Sequence, residues 1–333
     1  MSEVWCGIDG SKKKMDCGLT GPKGYRTCCV GNDGKGYETL ERWAVKTAEE
    51  GVEVRFCLES TGDYNTACAL WLTERGYRVS VVNPAFVKYH AMGKGRLNKT
   101  DKADARSIAE YATDNRPEPW EMADPVRRDL LRLVRRREQL LKMAVMETNR
   151  RECPDAIGPE CTASIDRVRR FLDEEIAGTE SRMRELVAGD EGLSRALELI
   201  VTVPGLSEGS AVVILSEMPD VDRAACAKEW AAAAGGHATR HESGQMPAGS
   251  RMSRGGRIRV RRALWMPALV AKSRAPQLKR LYDRLRERGR THRQALVACV
   301  RKLLMIVYGI LRSGNPYSSS AGQAKPSPDL ANT

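Results

Sequence analysis

Aromatic residues are scarce in this 333-residue chain, at 5% of the sequence. A surface that grips nucleic-acid bases mainly by stacking on aromatic side chains is therefore not expected. No stretch approaches the roughly 18 uncharged apolar residues of a membrane-spanning helix, because Arg301 and Lys302 interrupt the most apolar late segment, 295–311. The N-terminus has no cationic stretch followed by an apolar one, so we expect neither secretion nor a membrane partner.

Cysteine pairs with C-x-x-C spacing are also absent, although the chain holds ten cysteines. Structural zinc sites commonly use that spacing, so no such site is expected. Most of the cysteines lie in apolar stretches, as small buried residues do. These features predict a reduced protein in the cytoplasm, with a redox-active cysteine pair as the lesser alternative.

Positive charge exceeds negative charge, with 55 Lys and Arg against 43 Asp and Glu and a net charge of +12. The excess is concentrated in 223–312, where 21 lysines and arginines stand against four acids. This segregation predicts a polyanionic partner, because Lys and Arg displace the counterions condensed on phosphates. A solvated basic surface on a helical domain is the alternative. Arginine outnumbers lysine here, which suits bidentate contacts to phosphate or guanine.

Residues 1–123 alternate between strand and helix patterns, which predicts an α/β domain with a mixed sheet. The expected strands are 4–8, 15–20, 26–30, 52–58 and 78–82. Helices are expected at 37–50 and at 65–75. A basic loop over 93–102 leads into a further helix that runs to about Tyr111. Residues 116–123 contain two prolines and predict a linker.

Residues 124–190 predict a long helical hairpin. Asp124 is an N-cap and Pro125 a first helical residue. Prolines and a glycine in 152–163 turn the chain, and the second helix is expected to begin at the N-cap Ser164. Its apolar residues step mostly by three and four, as in a coiled coil. Both an oligomerisation arm and an ordinary hairpin packed on its own domain fit this pattern.

The remainder predicts an all-α, mainly helical domain over 191–317, with a loop over 235–256 and a disordered tail over 318–333. Segment 203–211 resembles the turn of a helix-hairpin-helix module. There Gly205 and Gly209 would let backbone amides approach a phosphate at a helix N-terminus. A plain Pro-Gly turn between two helices is the alternative.

Four acids are candidates for a metal site. Asp9 ends the first predicted strand and Glu59 a later one, while Asp101 and Asp104 share one face at the start of a helix. Converging carboxylates repel one another unless divalent cations neutralise them, and oxygen ligands favour Mg²⁺ or Mn²⁺. Two such ions can clamp a phosphodiester. Alternatively, Asp101 and Asp104 only stabilise a helix N-terminus.

The surrounding residues resemble, in order, the RuvC-like domain of DEDD-type insertion-sequence transposases, which are bridge-RNA-guided DNA recombinases. The matching segments are 7–12 (GIDGSK), 58–64 (LESTGDY), 81–84 (VVNP) and 98–106 (NKTDKADAR). The resemblance implies an RNase H-like sheet and a DEDD set made of Asp9, Glu59, Asp101 and Asp104. Lys99 and Lys102 beside this set would contact nucleic acid. The family usually has a β-branched or small residue where this chain has Gly10, so we expect a looser strand end.

A second set of candidates lies in a stretch rich in glycine, serine and arginine. A serine ringed by arginines could attack a phosphodiester while the arginines stabilise the charged transition state. By chemistry alone, Ser243, Ser250 and Ser253 all qualify. Residues 235–269 resemble the transposase domain of the same family, which implies that Ser243 is the catalytic serine. His241 could assist proton transfer, but a phosphate contact or an exposed position is favoured.

The resemblance extends from Gly7 to about Pro316, and it implies which other residues contact nucleic acid in this second domain. Ser253 would touch phosphate or backbone, and the arginines would hold the nucleic acid. These arginines are Arg240, Arg251, Arg254, Arg257, Arg261 and Arg262.

The resemblance implies a transposase that recombines DNA through a covalent phosphoserine, with Mg²⁺ or Mn²⁺ in the RuvC-like domain. A structured non-coding guide RNA, the bridge RNA, would pair with double-stranded donor and target DNA, much as in other guided enzymes. The protein would form a homo-oligomer, a dimer or tetramer, with 124–189 as the candidate contact. One alternative is a metal-dependent RuvC-like endonuclease or resolvase that acts by direct hydrolysis. Another is a non-enzymatic nucleic-acid-binding protein.

Overall fold

The computed structural model describes residues 3–21, 24–60, 64–95, 101–120, 124–152, 154–235, 238–241, 249–252 and 256–319. For residues 21, 101–103, 154–157, 238–241 and 249–252 the description covers the backbone alone. The chain divides into two compact units, Met1–Ala123 (unit 1) and Asp124–Thr333 (unit 2). Each unit has a hydrophobic core of its own.

Unit 1 is an α/β domain whose helices pack on a five-stranded sheet. Its elements are β1 (Glu3–Gly10), β2 (Lys14–Gly21), β3 (Gly24–Gly31), α1 (Gly34–Ala48), β4 (Glu53–Glu59), α2 (Thr66–Glu74), β5 (Arg78–Val82), α3 (Pro84–Gly93) and α4 (Asp101–Asn115). The strand order is β3-β2-β1-β4-β5. Strand β1 is antiparallel to β2 and parallel to β4, which confirms the mixed sheet.

Helix α3 is not among the expected elements. The Asn83-Pro84 pair ends β5, as the sequence predicts, but it also starts a helix. The Asn83 side chain accepts a hydrogen bond from the Ala85 amide at 2.9 Å, and Pro84 occupies the first turn. Asn at the N-cap followed by Pro is a common helix start, so the same dipeptide signals a strand end and a helix beginning.

Strand β1 places alternate residues on the two faces of the sheet. Ile8 belongs to the core on the side of α1 and α2, whereas Trp5 packs with Ile108 of α4 on the other side. Gly7 shares the α4 face, where a Cβ atom would lie 2.3 Å from the carbonyl oxygen of Ala105. The absence of a side chain at Gly7 therefore lets α4 pack directly on the β1 backbone.

Unit 2 is mainly helical and contains one short two-stranded sheet. Its elements are α5 (Pro125–Arg151), α6 (Pro154–Ala188), α7 (Glu191–Val201), α8 (Glu208–Glu217), a 3₁₀ turn (Val221–Arg223), α9 (Ala227–Ala233), β6 (Ala238–His241), β7 (Gly249–Met252), α10 (Ile258–Ala263), α11 (Trp265–Arg274), α12 (Pro276–Glu287) and α13 (His292–Ser313).

The antiparallel pair β6–β7 shows that the expected loop over 235–256 is wrong in part. The short strands Ala238–His241 and Gly249–Met252 lack the apolar alternation by which a strand is recognised in sequence. Hydrogen bonding between the two strands gives this segment a regular structure that its glycine, serine and arginine content does not predict.

Helices α5 and α6 pack against each other as the predicted hairpin. Leu140 of α5 and Leu172 of α6 are buried together. Further along, Leu130 of α5 and Met183 of α6 enter the main core of unit 2. The hairpin is thus continuous with the core of its own unit. Its separation from 191–317 as a domain stays a prediction.

The expected start of the second hairpin helix at Ser164 is wrong. Helix α6 begins at Pro154 and is interrupted at Gly158, which has φ 73° and ψ 167°. Pro159 then occupies the first position of the longer part, where a proline costs no hydrogen bond. Ser164 therefore lies inside the helix.

Helix α13 is a central element of the unit 2 core. Among the described helices, it alone is long and apolar enough by composition to cross a membrane. Leu296, Leu303 and Val307 are nevertheless buried in the unit 2 core beside Trp230 of α9. Thr291 and Gln294 form a capping box at its start. Residues 320–333, which include most of the predicted disordered tail, lie outside the described residues.

Candidate active site

Asp9 and Glu59 lie at the ends of two neighbouring parallel strands. Ile8 of β1 pairs with Leu58 of β4, so the two acids follow at the same edge of the sheet. Because side chains alternate along a strand, both acids lie on the face to which Gly7 belongs, which is the face covered by α4. The sequence placed these acids at strand ends, and the sheet order makes the strands adjacent.

The first turn of α4 reaches the same face. Asp104 precedes Ala105, whose carbonyl oxygen lies against Gly7 of β1. Asp101 starts α4, but its side chain and that of Lys102 lie outside the described residues, as does all of Lys99. Among the described side chains, no group of three or more Asp, Glu, His or Cys residues could hold a metal ion. The DEDD assignment stays a prediction.

A buried amide braces the end of β4. Asn65 is 2% exposed, and its Nδ2 donates a hydrogen bond to the carbonyl oxygen of Glu59 at 2.7 Å. A Cβ atom on Gly10 would lie 1.7 Å from Asn65 Oδ1, so glycine makes the space that Asn65 occupies. Gly10 also pairs with Met15 in the β1–β2 ladder, so β1 keeps its pairing at this position. The expected loosening of the strand end stays a prediction.

Asn65 is absent from the predicted site residues. Asn65 is the first residue of the expected helix 65–75, and asparagine at a helix start is typical of an N-cap. In the structure its side chain makes no cap hydrogen bond to α2 and instead bonds the backbone of Glu59.

Asp16 is a further carboxylate on the α4 face. It lies directly opposite Asp9 in the β1–β2 ladder and is 8% exposed. The Lys14 ammonium donates to Asp16 Oδ2 at 2.9 Å, which offsets the cost of burying the charge. Asp16, Thr27 and Ala105 line a cavity of about 180 Å³. Sequence reasoning missed Asp16 because it lies inside a strand, where only the pairing register reveals its proximity to Asp9.

Several cysteines of unit 1 are buried in or beside the sheet. Cys17 and Cys28 are opposite residues in β2 and β3, and a hydrogen bond from the Cys17 thiol lowers the pKa of Cys28. Burial raises the pKa of Cys57 and of Cys68 to about 12. The nine cysteines that the structure describes are free thiols.

Ser243 lies in 242–248, outside the described residues. The strands on either side are described, and their register pairs Arg240 with Ser250 and Thr239 with Arg251. The side chains of these residues lie outside the description, as do Ser253 and Arg254 entirely. The segment that contains Ser243 therefore joins the two strands of the β6–β7 pair.

The side chains of three of the predicted arginines are described: Arg257 and Arg261 are half-buried, and Arg262 is exposed. Burial lowers the pKa of the Arg257 guanidinium. Arg261 Nη1 donates to the carbonyl oxygen of Ala234 at 2.6 Å, and Arg262 Nη1 lies 3.5 Å from Glu138 Oε1. These contacts support the local structure, and the predicted nucleic-acid contacts of the three arginines stay predictions.

Exposed positive charge is concentrated further along the chain, on α12, the turn that follows it and the start of α13. None of these residues is among the named candidates, although the charge run over 223–312 includes them. The exposed side chains are Lys279, Arg280, Arg284, Arg286, Arg288, Arg290 and Arg293. A row of exposed cations of this length suits a phosphate backbone.

The turn between α7 and α8 contains Gly205 and Gly209. Gly205 has φ 93°, and a Cβ atom there would lie 2.7 Å from the carbonyl oxygen of Pro267 on α11. Close packing on α11 therefore explains this glycine. Gly209, in the first turn of α8, is exposed. The approach of a phosphate to either residue stays a prediction.

Comparison with known proteins gives two family models that cover most of the chain. One, described as a transposase of the IS110 DEDD type, matches residues 6–153. The other, described as a transposase of the IS116/IS110/IS902 family, matches residues 197–283. The two matches contain both sets of candidate residues.

Similar proteins match over nearly the whole chain. The pilin gene-inverting protein of Moraxella bovis is 27% identical over 319 residues, 95% of this chain and 98% of that protein. The protein of the same description from Moraxella lacunata gives the same figures. An uncharacterised 43.6 kDa protein of insertion element IS110 from Streptomyces coelicolor is 30% identical over 161 residues, 47% of this chain and 40% of that protein.

Proposed function

The chain belongs to the IS110 family of transposases and is a DNA transposase or recombinase, and we propose that its reaction uses a metal-binding acid site in unit 1 and a serine nucleophile in unit 2. The placement of Asp9 and Glu59 at one sheet edge, on the face that α4 covers, carries this proposal. In this proposal, the two carboxylates on neighbouring strands and Asp104 in the first turn of the covering helix would supply the oxygen ligands of the ion.

The proposed ion is Mg²⁺ or Mn²⁺, which these oxygen donors suit. Asp9, Glu59 and Asp104 would hold it, together with Asp101. Mutual repulsion of neighbouring carboxylates destabilises their close placement, and a bound ion would offset that repulsion. The ion would neutralise charge on a bound phosphodiester. Asn65 would keep the β4 end in place through its bond to the Glu59 carbonyl.

In the proposed reaction, the Ser243 hydroxyl oxygen attacks the phosphorus of the scissile phosphate. A phosphoserine ester forms, the bond to the 3′ oxygen breaks, and that oxygen takes a proton to become a free 3′ hydroxyl. Attack by a 3′ hydroxyl of another strand reverses the step and regenerates the serine. Since the ester retains the energy of the broken bond, exchange of strands needs no nucleotide cofactor.

Guidance by a structured RNA is part of the proposal, and unit 2 offers a surface for a nucleic-acid backbone. The exposed cations Arg280, Arg284 and Arg288 on and after α12 support contact with phosphates of RNA or double-stranded DNA. The Moraxella relatives are named for inverting a pilin gene, which supports exchange between defined DNA sites.

A homo-oligomer, dimer or tetramer, completes the proposal. The α5–α6 hairpin exposes Val145, Met146 and Phe171, which are 56%, 53% and 58% exposed, and these side chains would contact a second copy. We place the protein in the cytoplasm, which suits its free thiols.

The test is a search for a covalent protein–DNA adduct after incubation with guide RNA and labelled donor and target DNA. Wild-type protein should give an adduct that protease digestion reduces to a phosphoserine peptide containing Ser243. Ser243→Ala should give none, whereas the matched variant Ser250→Ala should retain it. Glu59→Gln, or EDTA with wild-type protein, should abolish recombination.

Two outcomes would contradict parts of this mechanism. A full yield of adduct from Ser243→Ala would exclude Ser243 as the nucleophile. Cleaved DNA without any adduct would instead support direct hydrolysis by a metal-dependent endonuclease, with the serine in a structural role.

A further inference from the structure

Helix α3 exposes large hydrophobic side chains along one side. Phe86, Tyr89 and Met92 are 58%, 68% and 48% exposed, and their spacing of three residues puts them on neighbouring turns. Of the five exposed large hydrophobic residues in the described part of unit 1, three belong to this helix. A chain with few aromatic residues thus places two rings in solvent on a single ten-residue helix.

The helix holds these rings in a fixed place. Val87, on the opposite side, is buried in a core that includes residues of α4. At the start, Asn83 accepts a hydrogen bond from the Ala85 amide at 2.9 Å. Near the end, His90 Nε2 lies 2.9 Å from a carboxylate oxygen of Asp114 on α4. A capped helix that is packed through Val87 and held to α4 through His90 presents its exposed rings with little further ordering, so binding costs little conformational entropy.

Helix α3 also begins beside the candidate acids. Val82, the last residue of β5, pairs with Glu59, and the helix starts two residues later at Pro84. The Ser60 amide donates to the Val82 carbonyl oxygen at 2.8 Å, which ties the two strand ends together. A strand of nucleic acid bound near Glu59 therefore has the start of α3 as its neighbour.

The charge on α3 favours a nucleic acid over a protein partner. The helix contains no Asp or Glu, and Lys88 is exposed next to Tyr89 and one turn before Met92. An apolar protein surface on this face would bury the Lys88 ammonium without a partner, which is costly. A nucleic acid offers both components, since bases stack on rings and phosphates pair with ammonium groups.

We propose that Phe86 and Tyr89 form a stacking platform for unpaired nucleotides, with Lys88 against their phosphates. The proposal rests on the proposed function, because the nucleotides would belong to the strand that occupies the neighbouring acid site. Guide RNA and locally unpaired DNA share this chemistry, so the platform is defined by unpaired bases on a phosphodiester backbone.

The test measures binding of the full-length chain to short unstructured oligonucleotides by fluorescence anisotropy. The probes are single-stranded RNA, single-stranded DNA and an abasic DNA strand of equal length. Loss of one stacked base weakens binding by about 5- to 150-fold. The double variant Phe86→Ala, Tyr89→Ala should therefore bind at least one base-containing probe about 10-fold or more weakly, with abasic binding unchanged. The probe that loses affinity identifies RNA or DNA as the ligand.

Matched variants separate stacking from simple apolar contact. Phe86→Tyr and Tyr89→Phe keep the rings and should bind like the wild type. Replacement of both rings by leucine keeps an apolar surface and should weaken binding as much as alanine does. Val45→Ala, at a position on α1 that is 47% exposed, should change nothing. These positions are solvent-exposed, so the variants should fold, which circular dichroism checks.

Several results would overturn the platform. They are unchanged binding by the alanine double variant, full binding by the leucine variant, and an equal loss on the abasic strand. If the alanine double variant no longer self-associates in sedimentation but still binds the oligonucleotides, α3 is instead a protein contact. The adduct assay keeps the two proposals distinguishable. If the wild type forms the adduct and the alanine double variant binds the probes normally, only the platform is excluded. If the wild type forms no adduct, only the proposed reaction is excluded.

Discussion

Gly7→Ala is the substitution that tests most directly whether close packing of α4 on β1 positions the acid site. The new Cβ would lie 2.3 Å from the carbonyl oxygen of Ala105 and 2.4 Å from the amide nitrogen of Ala109. Both neighbours are backbone atoms of α4, so neither can rotate away. Carbon–oxygen contacts settle near about 3.3 Å, so α4 must move outward by about 1 Å.

This displacement has two consequences of different size. Overpacking a core position costs about 1–3 kcal/mol of unfolding free energy, and here the Trp5 and Ile108 contacts would loosen as well. The larger effect concerns activity, because Asp104 moves with α4 away from Asp9 on β1. A misplacement of about 1 Å can lower a rate by about 10²-fold. We therefore expect folded protein with nearly abolished recombination.

Gly18→Ala is the matched control. Gly18 pairs with Gly7 across the β1–β2 ladder and lies on the same face of the sheet. A Cβ atom there would meet the Tyr25 hydroxyl at 1.9 Å, but this is the end of a half-buried side chain that can rotate aside. Gly18→Ala should therefore lose less activity than Gly7→Ala. Urea denaturation measures the unfolding free energy of both variants, and a single-turnover recombination assay measures their recombination rate.

Wild-type activity in Gly7→Ala, at wild-type stability, would refute this reasoning. It would show that the spacing between α4 and β1 is not tightly set, and that Asp104 does not depend on it. A loss of stability with full activity would separate packing from the site and count against a role for the first turn of α4.

Three further predictions concern the Asn65 side chain, an ion pair and the basic surface. Asn65→Ala should leave the Glu59 carbonyl without its hydrogen-bond donor at 2.7 Å, cost about 1–3 kcal/mol of unfolding free energy and lower recombination. Asn32→Ala removes hydrogen bonds that are more exposed and should lower recombination less; equal activity losses would contradict a role for Asn65 in holding the end of β4. Arg259→Met removes a cation that pairs with Glu138 at 2.7 Å and with Glu217, whose side chain is 8% exposed, at 3.5 Å. It should cost about 1–3 kcal/mol in urea denaturation, while Arg312→Met at the exposed pair with Asp222 should cost under about 1 kcal/mol. The reverse order would contradict the burial argument. Replacement of Arg280 and Arg284 by glutamine should lower the slope of log affinity against log salt for duplex DNA by about 1.8, and an unchanged slope would exclude α12 from the interface.

Much of the α/β architecture follows from local sequence pattern. The five strands of unit 1 coincide with the five expected strands, and Asp9 and Glu59 lie at or within one residue of the ends of β1 and β4. Helix α5 begins at the predicted cap, where the Asp124 side chain accepts from the Val126 amide. These features depend on residues close together in the chain, so periodicity and capping preferences suffice to predict them.

Other features depend on residues that are distant in sequence. The role of Gly7 depends on Ala105, and that of Gly10 depends on Asn65. The residues next to each glycine in the sequence do not indicate either contact. The β6–β7 pair likewise gains its order from pairing across the segment that contains Ser243. Local pattern does not reveal any of these contacts, which is why the expected loop over 235–256 was wrong in part.

The sequence by itself determined the presence of a mixed sheet, a helical hairpin and acids at two strand ends, because spacing along the chain encodes them. The family motifs marked the same acids. Only the tertiary structure decided that β1 and β4 are neighbours, that α4 packs on the bare backbone of Gly7, and that Asp16 lies opposite Asp9. It also decided that the rings of α3 remain in solvent. Strand order and helix–sheet spacing arise from packing between segments far apart in the chain, and packing determines which side chains meet.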